Sequence, residues 1–135
     1  MASLPAAWEV LRPQGKIGDI KPHSGSIAWS AYRKRWVTVF VEKWGKPSAL
    51  GEVWYAEADA PTGPWGAAVK VLSHEDYTFY NPRLHPEFSR GAALFFEGTY
   101  SKEFSGNRQP TPRYDYNQVL YRLDLDDPAL AQARK

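Results

Sequence analysis

The sequence predicts an all-β fold built from four-stranded antiparallel meanders. Short runs rich in β-branched and aromatic residues alternate with turns rich in Gly and Pro, and the 135 residues include 6 Trp, 8 Tyr and 6 Phe. Helical periodicity is nearly absent, since only Pro128–Arg134, after the Asp126-Asp127 pair that could cap it, indicates a short helical turn. A chain of this length forms one domain with a real core.

The first unit, residues 20–73, contains four predicted strands. GSIAWSAY and WVTVFVE are joined by the polar Arg33–Arg35, which predicts a tight antiparallel hairpin. The segment APTGPWG is a turn by composition, because two Pro and two Gly cannot continue a ladder. The four strands are predicted at Gly25–Tyr32, Trp36–Glu42, Glu52–Ala58 and Val69–Leu72.

The second unit, residues 77–128, begins with an irregular strand and ends in a regular one. Tyr77–Phe88 holds two prolines and so predicts an edge-like or broken strand. Gly91–Tyr100 is a strong strand, and Gln118–Leu125 alternates apolar and polar residues cleanly. Residues 129–135 form a tail.

The two units resemble each other. Val53 and Tyr55 fall 66 residues before Val119 and Tyr121, and RWVTVFVE matches AALFFEGTY in position within its unit. A repeat of about 60 residues built from a four-stranded meander predicts a β-propeller-like architecture with about two blades per chain. A β-sandwich of 7 to 8 strands is the alternative.

The N-terminus predicts a spare strand. PAAWEVLRP is similar to PWGAAVKVLS, so residues 1–14 are expected to supply the outer strand of another blade. Two blades alone leave apolar flanks, because stacked repeats generally need about three units for an adequate core. The chain is therefore expected to form a homo-oligomer or to be part of a larger propeller.

Composition excludes several classes of function. There is no Cys, so a disulfide framework, a Cys-based zinc site and a thiol nucleophile are ruled out. The 17 basic and 15 acidic residues leave a net charge of only +2, and the basic Arg33–Arg35 is best interpreted as a solvated hairpin tip, so nucleic acid is not an expected partner. No membrane association, metal site or cofactor is predicted, and the compartment is not indicated.

Four segments carry a resemblance to a known family. GEVWYAEADAPTGPW, FYNPRLHPEF, GAALFFEGTYS and TPRYDYNQVLYRLDLDDP, within about residues 20–128, resemble the C-terminal blades of five-bladed β-propeller glycoside hydrolases, the arabinanase, xylosidase and fructosidase clan, and of uncharacterised relatives. The resemblance implies a central funnel where three carboxylates on different blades act on a carbohydrate. This chain has room for about two such blades.

Two carboxylates are the catalytic candidates. Glu97 interrupts the apolar strand LFFEGTY, and burial there would raise its pKa and suit a general acid. Asp115, between two tyrosines, is the second candidate, because glycoside hydrolysis needs two carboxyl groups flanking the bond. The structural alternatives are an ion pair of Glu97 with Arg113 or Arg122, and turn capping by Asp115.

The resemblance also implies residues that contact substrate. Asn81 stands where such blades usually carry a catalytic Asp before Pro, and an amide cannot act as a base. His85 follows on the same innermost strand, and His23 occupies the similar place in the first unit, so both are candidates for one axial cavity, with structural hydrogen bonding as the alternative.

Further substrate-binding candidates are aromatic or basic. Trp44, in a short loop between lysine and glycine, is the candidate for an exposed stacking platform, with a packing role as the alternative, whereas Trp36 and Trp54 lie within strands and are predicted to pack. The remaining candidates flank Asp115: Arg113, Tyr114 and Tyr116. Two functions follow, a glycosidase-like activity or its remnant, and a non-catalytic carbohydrate-binding or structural module. Asn81 and the missing blades favour the second.

Overall fold

The described residues form eight strands in two antiparallel sheets, which confirms the all-β prediction. The computed structural model describes residues 13–16, 20–74, 77–102 and 116–134, with the backbone alone for 13–16. The first sheet has the order β1-β5-β4-β3-β2 and the second β6-β7-β8. The strands are β1 (Pro13–Lys16), β2 (Pro22–Ser30), β3 (Arg35–Glu42), β4 (Val53–Ala58), β5 (Ala67–Leu72), β6 (Thr78–Leu84), β7 (Ala93–Ser101) and β8 (Tyr116–Asp124).

The first sheet contains the four-stranded meander expected for residues 20–73, with one further strand at its edge. β1 pairs with β5, Pro13 lying opposite Val69 and Lys16 opposite Ala67. The prediction of a spare strand over residues 1–14 falls mostly outside the described residues. The N-terminal strand that the structure does describe lies on the outer edge of its own chain's first sheet.

The loop of the hairpin between β2 and β3 is one residue longer than the sequence predicts. Ser30 pairs with Arg35, so the turn spans residues 31–34 and Arg35 belongs to β3. Lys34 adopts a φ of 53°, and its N–H donates to Ser30 O at 2.7 Å. The left-handed residue closes the turn, which is how a four-residue hairpin loop reverses the chain.

β6 is irregular, as the two prolines of the predicted segment 77–88 indicate: Pro82 lies within the strand, and Pro86 lies beyond its end. The register shifts between Tyr80, opposite Thr99, and Arg83, opposite Glu97. Asn81 fills the shift with a φ of 55°, a conformation that Asn tolerates better than most residues, and it precedes the buried Pro82. A 3-10 helix, Pro86–Phe88, then leads toward β7.

The two meanders share one cross-strand register. Tyr55 on β4 lies opposite Val39 on β3, and Tyr121 on β8 lies opposite Phe96 on β7. All four side chains are buried, with at most 3% of their area exposed. The sequence similarity between the units therefore corresponds to equivalent positions in their second and third strands.

One hydrophobic core lies between the sheets. β2 and β6, the first strands of the two meanders, lie side by side, and the Leu84 N–H donates to Ser26 Oγ at 3.0 Å. Gly98 on β7 is in contact with the ring of Phe79, which leaves no room for a Cβ. The core draws large side chains from both sheets, among them Val39, Val41, Tyr55, Val69, Phe79, Phe96, Tyr121 and Leu123.

The far side of the first sheet carries a second, smaller apolar cluster. Ile20 and Trp65 come from loops and cover the strand residues Phe40, Trp54, Ala56 and Ala68. A shallow groove of about 170 Å³ remains beside them, lined partly by Ile27, which is half exposed. This flank is thus covered in part by the chain itself.

The chain ends in the helical turn that the sequence predicts. A 3-10 helix spans Pro128–Arg134, and Asp127 Oδ1 accepts from the Ala129 N–H at 2.9 Å. Leu130 and Ala133 are buried in the main core. The tail therefore packs against the first sheet and contributes to the space between the sheets.

Candidate functional site

Trp44 is the most exposed large apolar side chain among the described residues, at 69%. It follows β3 and adopts a φ of 61°, in the left-handed region that side chains larger than Gly rarely occupy. Its N–H and that of Gly45 both donate to Ala49 O, at 2.8 and 3.3 Å. The backbone at Trp44 is held in a conformation that costs about 1–2 kcal/mol, while its indole faces solvent.

Buried polar contacts support this loop from below. A Cβ on Gly45 would lie 2.8 Å from Glu52 Cγ, so the loop backbone packs directly on that side chain. Glu52 is fully buried and bonds to Lys70 Nζ at 2.9 Å and to Ser73 Oγ at 2.8 Å. Ser48 Oγ, from the same loop, donates to Tyr77 O at 2.6 Å. These contacts fix the position of the loop relative to the sheet.

One lysine side chain lies close to the indole, and two further exposed lysines belong to the same loop or to the segment bonded to it. Lys43 Nζ lies 5.9 Å from the centroid of the Trp44 ring, and the Lys43 N–H donates to Lys21 O at 2.7 Å, which brings a second lysine to the loop. Lys21, Lys43 and Lys46 are all exposed. We call Lys21, Lys43, Trp44 and Lys46 the Trp44 patch.

The nearest described carboxylates are already engaged. Glu52 pairs with Lys70, and Glu42 Oε2 accepts from the Trp54 indole N–H at 3.0 Å. Lys70 also reaches back to Lys46 O at 3.0 Å. Glu52 is thus paired with Lys70 and not with a lysine of the Trp44 patch.

His85 and Glu97 form a second cluster, on the outer face of the second sheet. With both ring nitrogens protonated, His85 donates from Nδ1 to Glu87 Oε1 at 2.9 Å and from Nε2 to Glu97 Oε1 at 2.8 Å. Phe88 stacks on the imidazole at a centroid distance of 5.1 Å. Partial burial lowers the pKa of His85, but these two hydrogen bonds outweigh it and raise the pKa above its usual value. The same bond to His85 lowers the pKa of Glu87.

The burial expected for Glu97 is wrong. On β7, Leu94 and Phe96 face the core, so Glu97 takes the opposite face and keeps 35% of its side chain exposed. Its partner is His85 rather than Arg122, which lies opposite Phe95 in the β7–β8 register. Glu97 is thus a surface carboxylate engaged by an imidazole.

Several predicted site residues lie apart from one another or outside the described residues. Arg113, Tyr114 and Asp115 belong to residues 103–115, which the structure does not describe. Tyr116 is 59% exposed, and its hydroxyl accepts from the Tyr80 hydroxyl at 2.8 Å, next to the exposed Asn81 on β6.

His23 and His85 do not occupy equivalent positions in the two meanders, although the sequence predicts that they do. His23 is the second residue of β2, whereas His85 follows the last residue of β6. They therefore lie at opposite ends of the first strands of their meanders. The reason is that β6 ends at Leu84 and Pro86 begins the 3-10 helix, so His85 lies in the connection beyond the strand.

A buried network of ion pairs lies near the β2–β3 hairpin, and the sequence analysis did not predict it. Glu57 is 1% exposed and accepts from Arg33 Nε at 2.9 Å, from Arg35 Nη1 at 3.4 Å and from the Tyr55 hydroxyl at 2.9 Å. Burial and the neighbouring Glu57 raise the pKa of Tyr55, and the bond to Glu57 raises the pKa of Arg33. The prediction that Arg33–Arg35 form a solvated hairpin tip is therefore only partly right, because Arg33 and Arg35 both pair with the buried Glu57. The spacing of two arginines opposite an acid in a buried strand is the signal that could have indicated it.

No model of a known protein family matches the chain, and no curated protein matches its sequence. Within the described ranges, no group of three or more His, Asp or Glu side chains is placed to hold a metal ion. None of the helices in the described part of the chain is long and apolar enough to cross a membrane.

Proposed function

We propose that the chain is a carbohydrate-binding module, that the Trp44 patch is its binding surface, and that it binds without hydrolysing its ligand. The observation that carries the proposal is the fixed, 69% exposed indole of Trp44. A large apolar ring held in solvent on a backbone of positive φ is a feature that a binding role would account for.

The indole suits a sugar ring for electrostatic and entropic reasons. The face of an aromatic ring carries partial negative charge, and the C–H groups on one face of a pyranose or furanose carry partial positive charge. An indole has two side-chain torsions, and the hydrogen bonds from Trp44 and Gly45 to Ala49 fix its backbone in advance. Stacking therefore orders few groups on binding, which lowers the entropic cost.

The lysines favour an acidic saccharide. Lys43 Nζ lies 5.9 Å from the centroid of the Trp44 ring, and Lys21 and Lys46 are exposed on the segment bonded to Lys43 and on the Trp44 loop. Exposed charges of one sign attract the opposite charge over about one Debye length, roughly 8–10 Å at physiological salt. A polysaccharide with uronate or sulfate groups would satisfy both the ring and the lysines.

The described carboxylates argue against hydrolysis. Hydrolysis needs two carboxyl groups on either side of the glycosidic bond. Glu87 and Glu97 bind opposite nitrogens of one imidazole, so the ring of His85 fills the space that a sugar would need. Asn81 supplies no base, and Asp115 lies outside the described residues. Catalysis by Glu97 with Asp115 is thus the less favoured form of the proposal.

The relationship to five-bladed β-propeller glycoside hydrolases belongs to the same proposal, with a β-sandwich as the alternative. The shared register that sets Tyr55 opposite Val39 and Tyr121 opposite Phe96 supports a repeated meander, and the motifs quoted from the sequence are the support for the family. Assembly into a larger ring stays a prediction. Light scattering tests it directly, because a ring gives a multiple of 15.3 kDa, whereas a mass of 15.3 kDa in solution contradicts it.

Titration calorimetry with polygalacturonate and with neutral arabinan tests the binding function. We expect polygalacturonate to bind more tightly, to weaken at least tenfold between about 50 and 500 mM salt, and to lose at least tenfold affinity in Trp44→Ala. Lys43→Gln with Lys46→Gln should weaken the acidic polymer alone, and Tyr32→Ala serves as the control at an exposed aromatic in the turn between β2 and β3. Absence of binding to both polymers, or equal affinity of the wild type and Trp44→Ala, contradicts the proposal.

A further inference from the structure

A cleft of about 390 Å³ lies between the two sheets, away from the Trp44 patch. One wall comes from the β2–β3 hairpin and includes Trp29 and Tyr32, and the other comes from the 3-10 helix region and includes Pro86 and Ser89. This volume is within the range of roughly 300–1,000 Å³ typical of small-molecule sites. Neither wall contains a residue that the sequence indicates as a site.

The lining is uncharged and aromatic. Trp29 and Tyr32 expose 49% and 48% of their side chains, while Leu94 and Leu125 at the back are almost fully buried. Trp29 rests edge-on against Trp36 at a centroid distance of 5.7 Å, which fixes the orientation of its ring. None of the residues that line the cleft is charged. An ionised ligand would lose its hydration there without gaining a counter-ion.

One buried polar atom among the lining residues, Ser89 Oγ, forms no hydrogen bond to any of the described residues. Rotation about its Cα–Cβ bond toward a ligand would break no existing bond. A buried hydroxyl without a partner is costly, and a ligand with one polar group could satisfy it.

We propose that this cleft binds a small uncharged aromatic molecule that carries one hydrogen-bonding group. The ring packs against Trp29 and Tyr32 above the floor of Leu94 and Leu125, and its polar group meets Ser89 Oγ. The ligand class differs from that of the Trp44 patch, because the cleft lacks the lysines that would attract an acidic saccharide. The two sites can therefore be tested independently.

Indole is the probe for this site, with indole-3-carboxylate as its charged counterpart. Chemical-shift titration of the labelled chain with indole should move the resonances of Trp29, Tyr32 and Ser89 and give a Kd below about 1 mM. Indole-3-carboxylate should bind at least tenfold more weakly. Ser89→Ala should weaken indole about threefold, and Trp44→Ala should leave it unchanged.

Two further variants separate loss of the site from loss of the fold. Trp29→Ala removes one wall, and Ala31→Phe fills the cleft from the same hairpin without removing a contact; each should weaken indole at least tenfold with an unchanged circular dichroism spectrum. If Trp29→Ala fails to fold, Ala31→Phe decides alone. The proposal is overturned if indole causes no shifts at 5 mM, if the shifts lie elsewhere, or if a folded Ala31→Phe binds like the wild type.

Discussion

His85 Nε2 lies 2.8 Å from Glu97 Oε1, so the acid that follows the apolar run of residues 92–96 is bound to an imidazole on the outer face of the second sheet. Glu87 binds the other nitrogen of the same ring at 2.9 Å. Two carboxylates sharing one imidazolium form a local charge network, and its properties can be measured without a substrate.

Glu97→Gln should lower the pKa of His85. The carboxylate raises that pKa by bonding to the charged imidazole, and an amide keeps the size but not the charge. Titration of the His85 Cε1 proton by NMR measures the change, with Asp59→Asn, a distant surface substitution, as the control. An unchanged His85 pKa in Glu97→Gln would show that the bond does not persist in solution.

The contribution of His85 to stability should depend on pH with a defined sign. Because its pKa is raised in the folded state, the contribution is complete below the unfolded value of about 6.5 and is lost as the pH rises through the folded-state pKa. The free energy of unfolding of wild type minus that of His85→Gln should therefore be larger at pH 5.5 than at pH 8.5. Urea denaturation at the two pH values measures it. A difference that is larger at pH 8.5 would contradict the imidazolium assignment.

Glu57→Gln should destabilise the chain by about 2–4 kcal/mol, because it leaves Arg33 and Arg35 without the buried charge that they neutralise. Asp59→Asn is the matched control: Asp59 also pairs with Arg35 but is 93% exposed, so no measurable change is expected. Urea denaturation compares the two variants. Equal effects would mean that burial of Glu57 does not set the strength of this network.

Gly98→Ala should destabilise the chain by about 1–3 kcal/mol, since the added methyl group would overlap the ring of Phe79 in the shared core. Gly66→Ala is the matched control, because its Cβ would meet the nearest atom, Glu57 O, at an ordinary 3.5 Å. Thermal unfolding of the two variants should therefore differ by several degrees. A well-tolerated Gly98→Ala would show that the sheets pack less closely than described.

The strands could be predicted from local patterns because alternation and turn residues are properties of neighbouring positions. The equivalence of Tyr55 and Tyr121 was visible for the same reason, since both fall at one position of a repeated unit. The alternation of Leu94 and Phe96 places Glu97 on the outer face of the sheet, and this alternation is visible in the sequence. The prediction of burial was based instead on the apolar composition of the strand as a whole.

The sites were harder to predict because they depend on contacts between distant segments. His85 meets Glu97 across 12 residues, Arg33 meets Glu57 across 24, and the walls of the cleft come from different sheets. The amino-acid composition of these segments does not predict which distant residues pair. Trp44 is the exception, because a tryptophan between Lys43 and Gly45 in a polar loop indicated exposure from sequence alone, and its 69% exposure confirms it.

Trp44→Gly tests the binding proposal most directly, through two readouts on one variant. Gly removes the indole and also relieves the left-handed backbone, so the melting temperature should stay equal or rise by a few degrees, a gain of up to about 1 kcal/mol. The affinity for polygalacturonate should fall at least tenfold in the same preparation. A variant that is clearly destabilised, or one that binds polygalacturonate like the wild type, would contradict the conclusion that Trp44 is held in this conformation for binding.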